Sequence, residues 1–393
     1  MGPIAFLMVL AAGAALPGAV ARAVALRELR RLGSLTSSGA GERLYRTTQV
    51  FRFGGGVYLV AGGAAALDYL SGVRWPGTSM PALVGILAVG ALIWLGGVLL
   101  GIQAGLYPWV KAVRGLEASL GEQLTPAMVF LVVAVVPNLV WNLGLALAET
   151  TWRTRVVARP VTLLILASAY VTLLLVLAPR VWPRLVRSRP LGEPEAGAIR
   201  ALARRAGVRV ERVSVIPWSR QRIANAMVVG YGRPHILVTD YLLAQCTPEE
   251  VEAVVAHELG HIRLHHVWWR AALAWLWIAV AGAGSALLAR LPTTPPVWAA
   301  AGGWLVLLVG YFVVGVNAVG RRQELAADRY VVQLGVDPRH LASALERLAV
   351  ANTLPRRWDK VFRLFQSHPG VEERVRRLVG AYPAPAPAPE DHA

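Results

Sequence analysis

The chain has 393 residues, 55% of them hydrophobic and only 16% charged, with a net charge of +17 and a mean hydropathy of +0.49. Soluble domains are roughly 45–50% apolar and about 25% charged, so this composition excludes an ordinary soluble protein. A nucleic-acid binder would be as basic but not as apolar, so no nucleic-acid partner is expected. The positive charge is instead assigned to loops facing anionic lipid. The single cysteine, Cys246, excludes an intrachain disulfide and reads as a packing residue.

A membrane-spanning helix needs about 20 predominantly apolar residues. Seven segments qualify, at 4–24, 53–71, 81–106, 127–148, 160–178, 267–289 and 297–319. The second is the weakest, because it holds Asp68 and many glycines. The first has no basic residue ahead of its apolar run, so it is expected to be an uncleaved span and not a signal peptide. Loop charge sets the orientation. Arg27, Arg30, Arg31, Arg43, Arg46 and Arg52 lie in one loop, Lys111 and Arg114 in the next on that side, and Arg180, Arg184, Arg187 and Arg189 after the fifth span. Arg153, Arg155 and Arg159 dissent. The balance puts the N-terminus outside and residues 180–266 and 320–393 in the cytoplasm of a multi-pass inner or plasma membrane protein. Asp68, Gln103, Asn138, Asn142 and Asn317, at or near membrane depth, are expected to line a cavity or bond between helices.

Between the spans the pattern changes. Residues 194–206 read as an amphipathic helix and 208–216 alternate as a half-buried strand. The runs 225–230 and 235–239, joined by Tyr231-Gly232-Arg233-Pro234, read as a hairpin. Thr247 followed by Pro248, Glu249 and Glu250 is a helix start, and the helix is expected to run to about 266. Further helices are expected at 338–351 and 370–380, ahead of a disordered Pro-Ala tail at 382–393.

The chemistry is concentrated in Ala256-His257-Glu258-Leu259-Gly260-His261. Helical positions four apart share a face, so His257 and His261 can meet one ion while Glu258 reaches a water bound to it. This is the H-E-x-x-H pattern of zinc proteases. Two imidazoles, a carboxylate and an open fourth position suit catalytic zinc, and Glu258 would act as general base. Val251, Val254 and Val255 bury the helix, which argues against two histidines and a glutamate merely sitting on a polar face. Glu324 and Asp328, also four apart, share a face of a second helix. Glu324 is the expected third metal ligand and Asp328 the expected acceptor for a ligand histidine's free N–H. The alternative is a solvated acidic face paired with Arg321 and Arg322. His265 and His266 read as surface or interface residues.

Together AHELGH, RRQELAADRY and SHPGVEERVRRL (367–378) resemble the integral-membrane gluzincins, which include the type I CAAX prenyl proteases and the HtpX heat-shock proteases. The resemblance covers about residues 190–380 and includes Asn225-Ala226 and Gly230–Gly232. It implies that the strand holding Asn225 and Ala226 borders the cleft and binds extended substrate by edge pairing, although Asn225 also suits a turn. It implies that His368 lies near the zinc, stabilising an oxyanion or regulating access, although a residue before Pro369 also suits a helix start. The span count is nearer the prenyl-protease branch.

The expected fold is mainly α: a polytopic α-helical membrane protein of about seven spans with a gluzincin-type zinc-protease domain containing a small β-sheet. Its parts are an N-terminal membrane region (1–180), a first protease segment (181–266), a membrane hairpin (267–319), a second protease segment (320–381) and the tail. The expected activity is zinc-dependent hydrolysis of peptide bonds in membrane-associated proteins or peptides, with one Zn2+ per chain and the lipid bilayer as partner. The rivals are a BlaR-type signal-transducing gluzincin and a catalytically silent membrane scaffold.

Overall fold

The computed structural model describes residues 2–72, 80–132, 180–230, 233–288, 297–355, 357–358 and 360–381, with isolated positions at 168–169, 172–173, 177, 290 and 292. Most of the fourth and fifth expected spans lie outside the described residues. So do Asn138, Asn142, Arg153, Arg155, Arg159, the Asp68 side chain, the turn residues Tyr231 and Gly232, and the tail. The chain divides into two units: Met1–Ser188 with Trp268–Gly315, and Arg189–Val267 with Val316–Ala393.

The first unit contains α1 (Pro3–Arg31), α2 (Ser37–Gly72), α3 (Met80–Arg114) and α4 (Leu120–Phe130). Apolar side chains such as Met8, Leu287 and Val306 point outward, as a lipid-facing surface requires. Among the described residues, four helical stretches are long and apolar enough to cross a bilayer: Pro3–Ser34, Gly85–Arg114, His266–Gly284 and Gly302–Gln333. Seven spans are therefore not confirmed. Residues 53–71 are not among the four; they continue a 36-residue helix whose first half carries charged pairs such as Glu42–Arg46.

Packing in this unit depends on small residues. Gly97, Gly101 and Gly105 repeat every four residues on α3 and meet Ala14, Gly18 and Ala21 on α1. A Cβ on Gly105 would collide with the Gly18 carbonyl and lie 2.8 Å from the Ala21 Cβ. Such backbone approach replaces the hydrophobic drive that lipid does not provide. Around it, the Tyr58 hydroxyl donates to the Gly13 carbonyl (2.8 Å) and the Trp94 indole N–H to the Leu59 carbonyl (3.0 Å).

The second unit opens with β1 (Arg189–Pro190), α5 (Glu195–Arg205), β2 (Arg212–Ile216), β3 (Ala226–Val229), β4 (His235–Thr239), α6 (Asp240–Gln245) and α7 (Pro248–Arg263). The sheet has the order β1-β2-β4-β3, with β2 parallel to β4 and β3 antiparallel to it. The expected strand at 208–216 starts only at Arg212. Chain entry into α7 follows the sequence signal. The Thr247 hydroxyl accepts from the Glu250 N–H (3.3 Å), and the Glu250 carboxylate accepts from the Thr247 N–H (2.8 Å). Glu250 also accepts from Ser343 and from Arg347 Nε (2.9 Å), tying α7 to a later helix.

The helix expected to reach 266 stops at Arg263. His265 takes φ +56°, and a separate helix, α8 (His266–Leu288), follows it. The chain then runs through α9 (Val297–Gly310), a π-helical turn at Tyr311–Val316, α10 (Asn317–Gln333), α11 (Pro338–Ala351), α12 (Lys360–Leu364) and α13 (Val371–Ala381). Ile236, Val238, Leu242, Val255, Leu259, Val331 and Leu341 are fully buried in one core. Each such residue contributes about 1.5–3 kcal/mol.

The α1–α3 contact gives a direct test. Gly105→Val forces a branched side chain into a backbone contact and is expected to cost about 1–3 kcal/mol, read as a lower unfolding midpoint in detergent micelles. Gly96→Ala, where an added Cβ meets nothing within 4 Å, is expected to leave the midpoint in place.

Candidate active site

Two helices far apart in sequence make the site. α7 packs against α10 through Gly260, where a Cβ would lie 3.2 Å from the Ala327 Cα and from the Tyr330 side chain. Any larger residue would push the helices apart, and this close approach sets what can meet one turn away. His257 Nε2 lies 3.1 Å from His261 Nε2, 3.3 Å from one Glu324 oxygen, and His261 Nε2 lies 3.4 Å from the other. His257 and Glu324 are 6% and 2% exposed.

Ligands about 2.0–2.1 Å from a tetrahedral zinc are separated by about 3.3–3.4 Å. The observed triangle has that size, and these donors form a group able to hold a metal ion. Electrostatics point the same way. Glu258, Glu324 and Asp328 bring three carboxylates against one guanidinium, that of Arg374, leaving a deficit that a divalent cation balances. In the metal-free site a proton serves instead. Burial works to neutralise His257, but hydrogen bonds to Asp328 and Glu324 prevail and its imidazole is pushed up to about 9.

The donors are held from behind. His257 Nδ1 lies 2.9 Å from an Asp328 oxygen, so its N–H is committed there and Nε2 faces the site. Asp328, 4% exposed, is gripped by Arg374 through Nε (2.9 Å) and Nη2 (2.6 Å). The alternative of a solvated acidic face paired with Arg321 and Arg322 is not what the chain does. Arg321 donates to the carbonyls of Gln366 (2.7 Å) and Arg363 (3.2 Å), and Asn317 donates to that of Leu364 (3.2 Å). These bonds fix the turn that leads into Ser367 and His368. His368 Nδ1 lies 3.0 Å from Glu324, with the rest of its side chain largely exposed.

Glu258 is half-buried beside His257 and makes no hydrogen bond or ion pair among the described residues. Loss of water pushes its carboxyl up to about 6, against the opposing pull of His257. A poorly solvated carboxylate not tied up in a hydrogen bond is suited to take a proton from a nearby water.

His266 corrects the surface reading. It is 6% exposed, and its Nδ1 lies 2.9 Å from His261 Nδ1. On an unbroken helix it would point away; the break at His265 turns it back. His265 stays exposed. Arg374 was not singled out in the sequence, although its position there carries a signal: Val371, Val375 and Leu378 flank it at helical spacing and pack on the core. Asn225 immediately precedes β3 and Ala226 opens it; β3 is the edge strand that packs against α7. The Asn225 side chain is exposed and Ala226 is buried.

Comparison with known proteins agrees with this geometry. The model of peptidase family M48 matches residues 196–381, which hold both halves of the site. The model of BlaR1 peptidase M56 matches residues 86–279, which end before Glu324. A protease HtpX homolog of Acaryochloris marina is 30% identical over 228 residues, 49% of this chain and 73% of the relative. One of Syntrophobacter fumaroxidans is 29% identical over 233 residues, covering 49% and 79%. The crystal structure of S. mikatae Ste24p superposes with a TM-score of 0.63 over 95% of this chain and 98% of that one, at 16% identity, so the fold is of the Ste24p type. The chain belongs to peptidase family M48, as a membrane zinc metallopeptidase of the HtpX type.

Proposed function

We propose that His257, His261 and Glu324 hold one Zn2+ per chain and that Glu258 is the general base of a peptide hydrolysis. The observation that carries this is the triangle of donor atoms with a carboxylate beside it, that of Glu258, which makes no hydrogen bond or ion pair among the described residues. Zinc bound there would polarise the scissile carbonyl and bring a water's pKa to about 7. Glu258 takes the proton of the attacking water and delivers it to the leaving amine. Asp328 keeps His257 in the tautomer that presents Nε2, and Arg374 holds Asp328 in place while offsetting its charge. His266 does the same for His261 through Nδ1. His368 sits at the exposed rim beside Glu324, where its ring can meet the developing oxyanion or control access.

The substrate binds in extended form along β3 at Asn225 and Ala226. This is supported by the place of β3 at the sheet edge and against the His257 helix, since an unpaired edge offers a ladder of backbone donors and acceptors. Membrane-associated proteins or peptides fit a peptidase built into a membrane protein. The arginine-rich loops support a cytoplasmic site, with the N-terminus outside, in an inner or plasma membrane.

A signalling role of the BlaR type is a second reading, favoured by the M56 match. It predicts one specific protein target, whereas general proteolysis predicts cleavage of many unfolded membrane proteins, so the set of products separates the two. A silent scaffold predicts no products at all.

Two experiments test the assignment. Glu258→Gln is expected to lower cleavage of an unfolded membrane-protein substrate by about 10²–10⁴-fold while zinc content stays at one per chain; undiminished cleavage contradicts the role. In the wild type, activity falls as pH drops and Glu258 takes up a proton. The midpoint is expected at or below about 6, because a cation beside the carboxylate can only lower its pKa. In a separate measurement, Asp328→Ala removes the acceptor that orients His257 and is expected to weaken zinc binding about 10–100-fold, measured by competition with a chelator. An unchanged affinity rules out that positioning role.

A further inference from the structure

The outer edge of β3 is not uniform. Asn225 turns its backbone toward β4, its N–H donating to Thr239 Oγ1 (3.0 Å) and its carbonyl accepting from the Thr239 N–H (2.9 Å). Backbone groups alternate along an extended strand, so those of Ala224, Ala226 and Val228 turn outward. No strand covers that side among the described residues.

Ala224 is nonetheless occupied. The Asn352 carboxamide accepts from its N–H through Oδ1 (3.1 Å) and donates to its carbonyl through Nδ2 (2.8 Å). That is the pair of bonds a residue of an added antiparallel strand would make. Asn352 follows the last residue of α11, with its own N–H donating to the Leu348 carbonyl (3.0 Å). Its neighbours Val350 and Leu354 are apolar and 79% and 39% exposed.

We infer that Asn352 is a register stop for the substrate, a positioning residue that mimics a strand partner at Ala224 and leaves only Ala226 and Val228 for pairing. The inference rests on the reading of β3 as the substrate strand. An extended peptide pairs with those two residues and must then leave the plane of the sheet at Asn352, passing over Val350 and Leu354. The number of residues held extended on one side of the scissile bond is thereby fixed, and an apolar residue is favoured where the chain departs.

The test uses full-length zinc-loaded protein in detergent and two peptide ladders, one lengthened N-terminal and one C-terminal to the cleaved bond. In the wild type, kcat/KM is expected to stop rising at a set length in one ladder. In Asn352→Gly, Ala224 becomes available and the plateau moves outward by about two residues, the strand repeat. KM for the longer peptides falls about threefold to tenfold, as two further backbone hydrogen bonds allow. A length profile that superimposes on the wild type, with every peptide slowed alike, overturns the register stop and leaves Asn352 a structural tether.

A second measurement keeps Asn352 intact and needs no cleavage. Peptides carrying p-benzoylphenylalanine at successive positions are irradiated with the Glu258→Gln protein. Cross-linking to residues 350–354 from one position, with none from the residues before it, supports the stop; cross-linking there from several successive positions, or from none, overturns it. Zinc-dependent cleavage that Glu258→Gln abolishes tests the protease reading separately, so failure of that reading is distinguishable from failure of this one.

Discussion

The structure depends on the close approach of two helices whose facing surfaces carry buried imidazoles and carboxylates. α7 contributes two imidazoles and α10 two carboxylates, all at a depth where unpaired charge is costly. Gly260 lets the backbones come close enough for His257, His261 and Glu324 to share one point. Arg374 and Asp328 offset each other behind them. What remains is a buried group of donor atoms from His257, His261 and Glu324 that all face one point and could hold a metal ion.

This arrangement also explains how the catalytic unit is assembled from two stretches of chain. Residues 189–267 supply the sheet and the H-E-x-x-H helix, and residues 316–381 supply Glu324, Asp328, His368 and Arg374. Everything between belongs to the membrane unit. The Glu250 bonds to Ser343 and Arg347 and the Asn352 bonds to Ala224 join the two stretches at points away from His257, His261 and Glu324.

Much of this was legible in the residues and some was not. The spacing of His257 with His261, and of Glu324 with Asp328, places each pair on one helix face by geometry alone, so their meeting needed only that the two helices touch. The helix start marked by Thr247-Pro248 fell where the cap is. His266 was unreadable, because its inward direction depends on a left-handed residue at His265 that periodicity does not reveal. Arg374 was readable in principle as a charge on an otherwise apolar face. The second apolar segment, 53–71, is the later part of a longer, partly charged helix, a continuity that length and hydropathy do not show. The Gly97, Gly101, Gly105 repeat, which governs packing between α1 and α3, lay in plain sight inside an apolar run.

The central claim, that one zinc is held by two imidazoles and a carboxylate, is tested most directly by zinc-edge X-ray absorption on the purified full-length protein. The account predicts nitrogen and oxygen neighbours at about 2.0–2.1 Å with the outer-ring signature of two histidines, lost together when Glu324 is replaced by alanine. A sulfur neighbour near about 2.3 Å, the absence of imidazole scattering, or an identical spectrum in Glu324→Ala would contradict it.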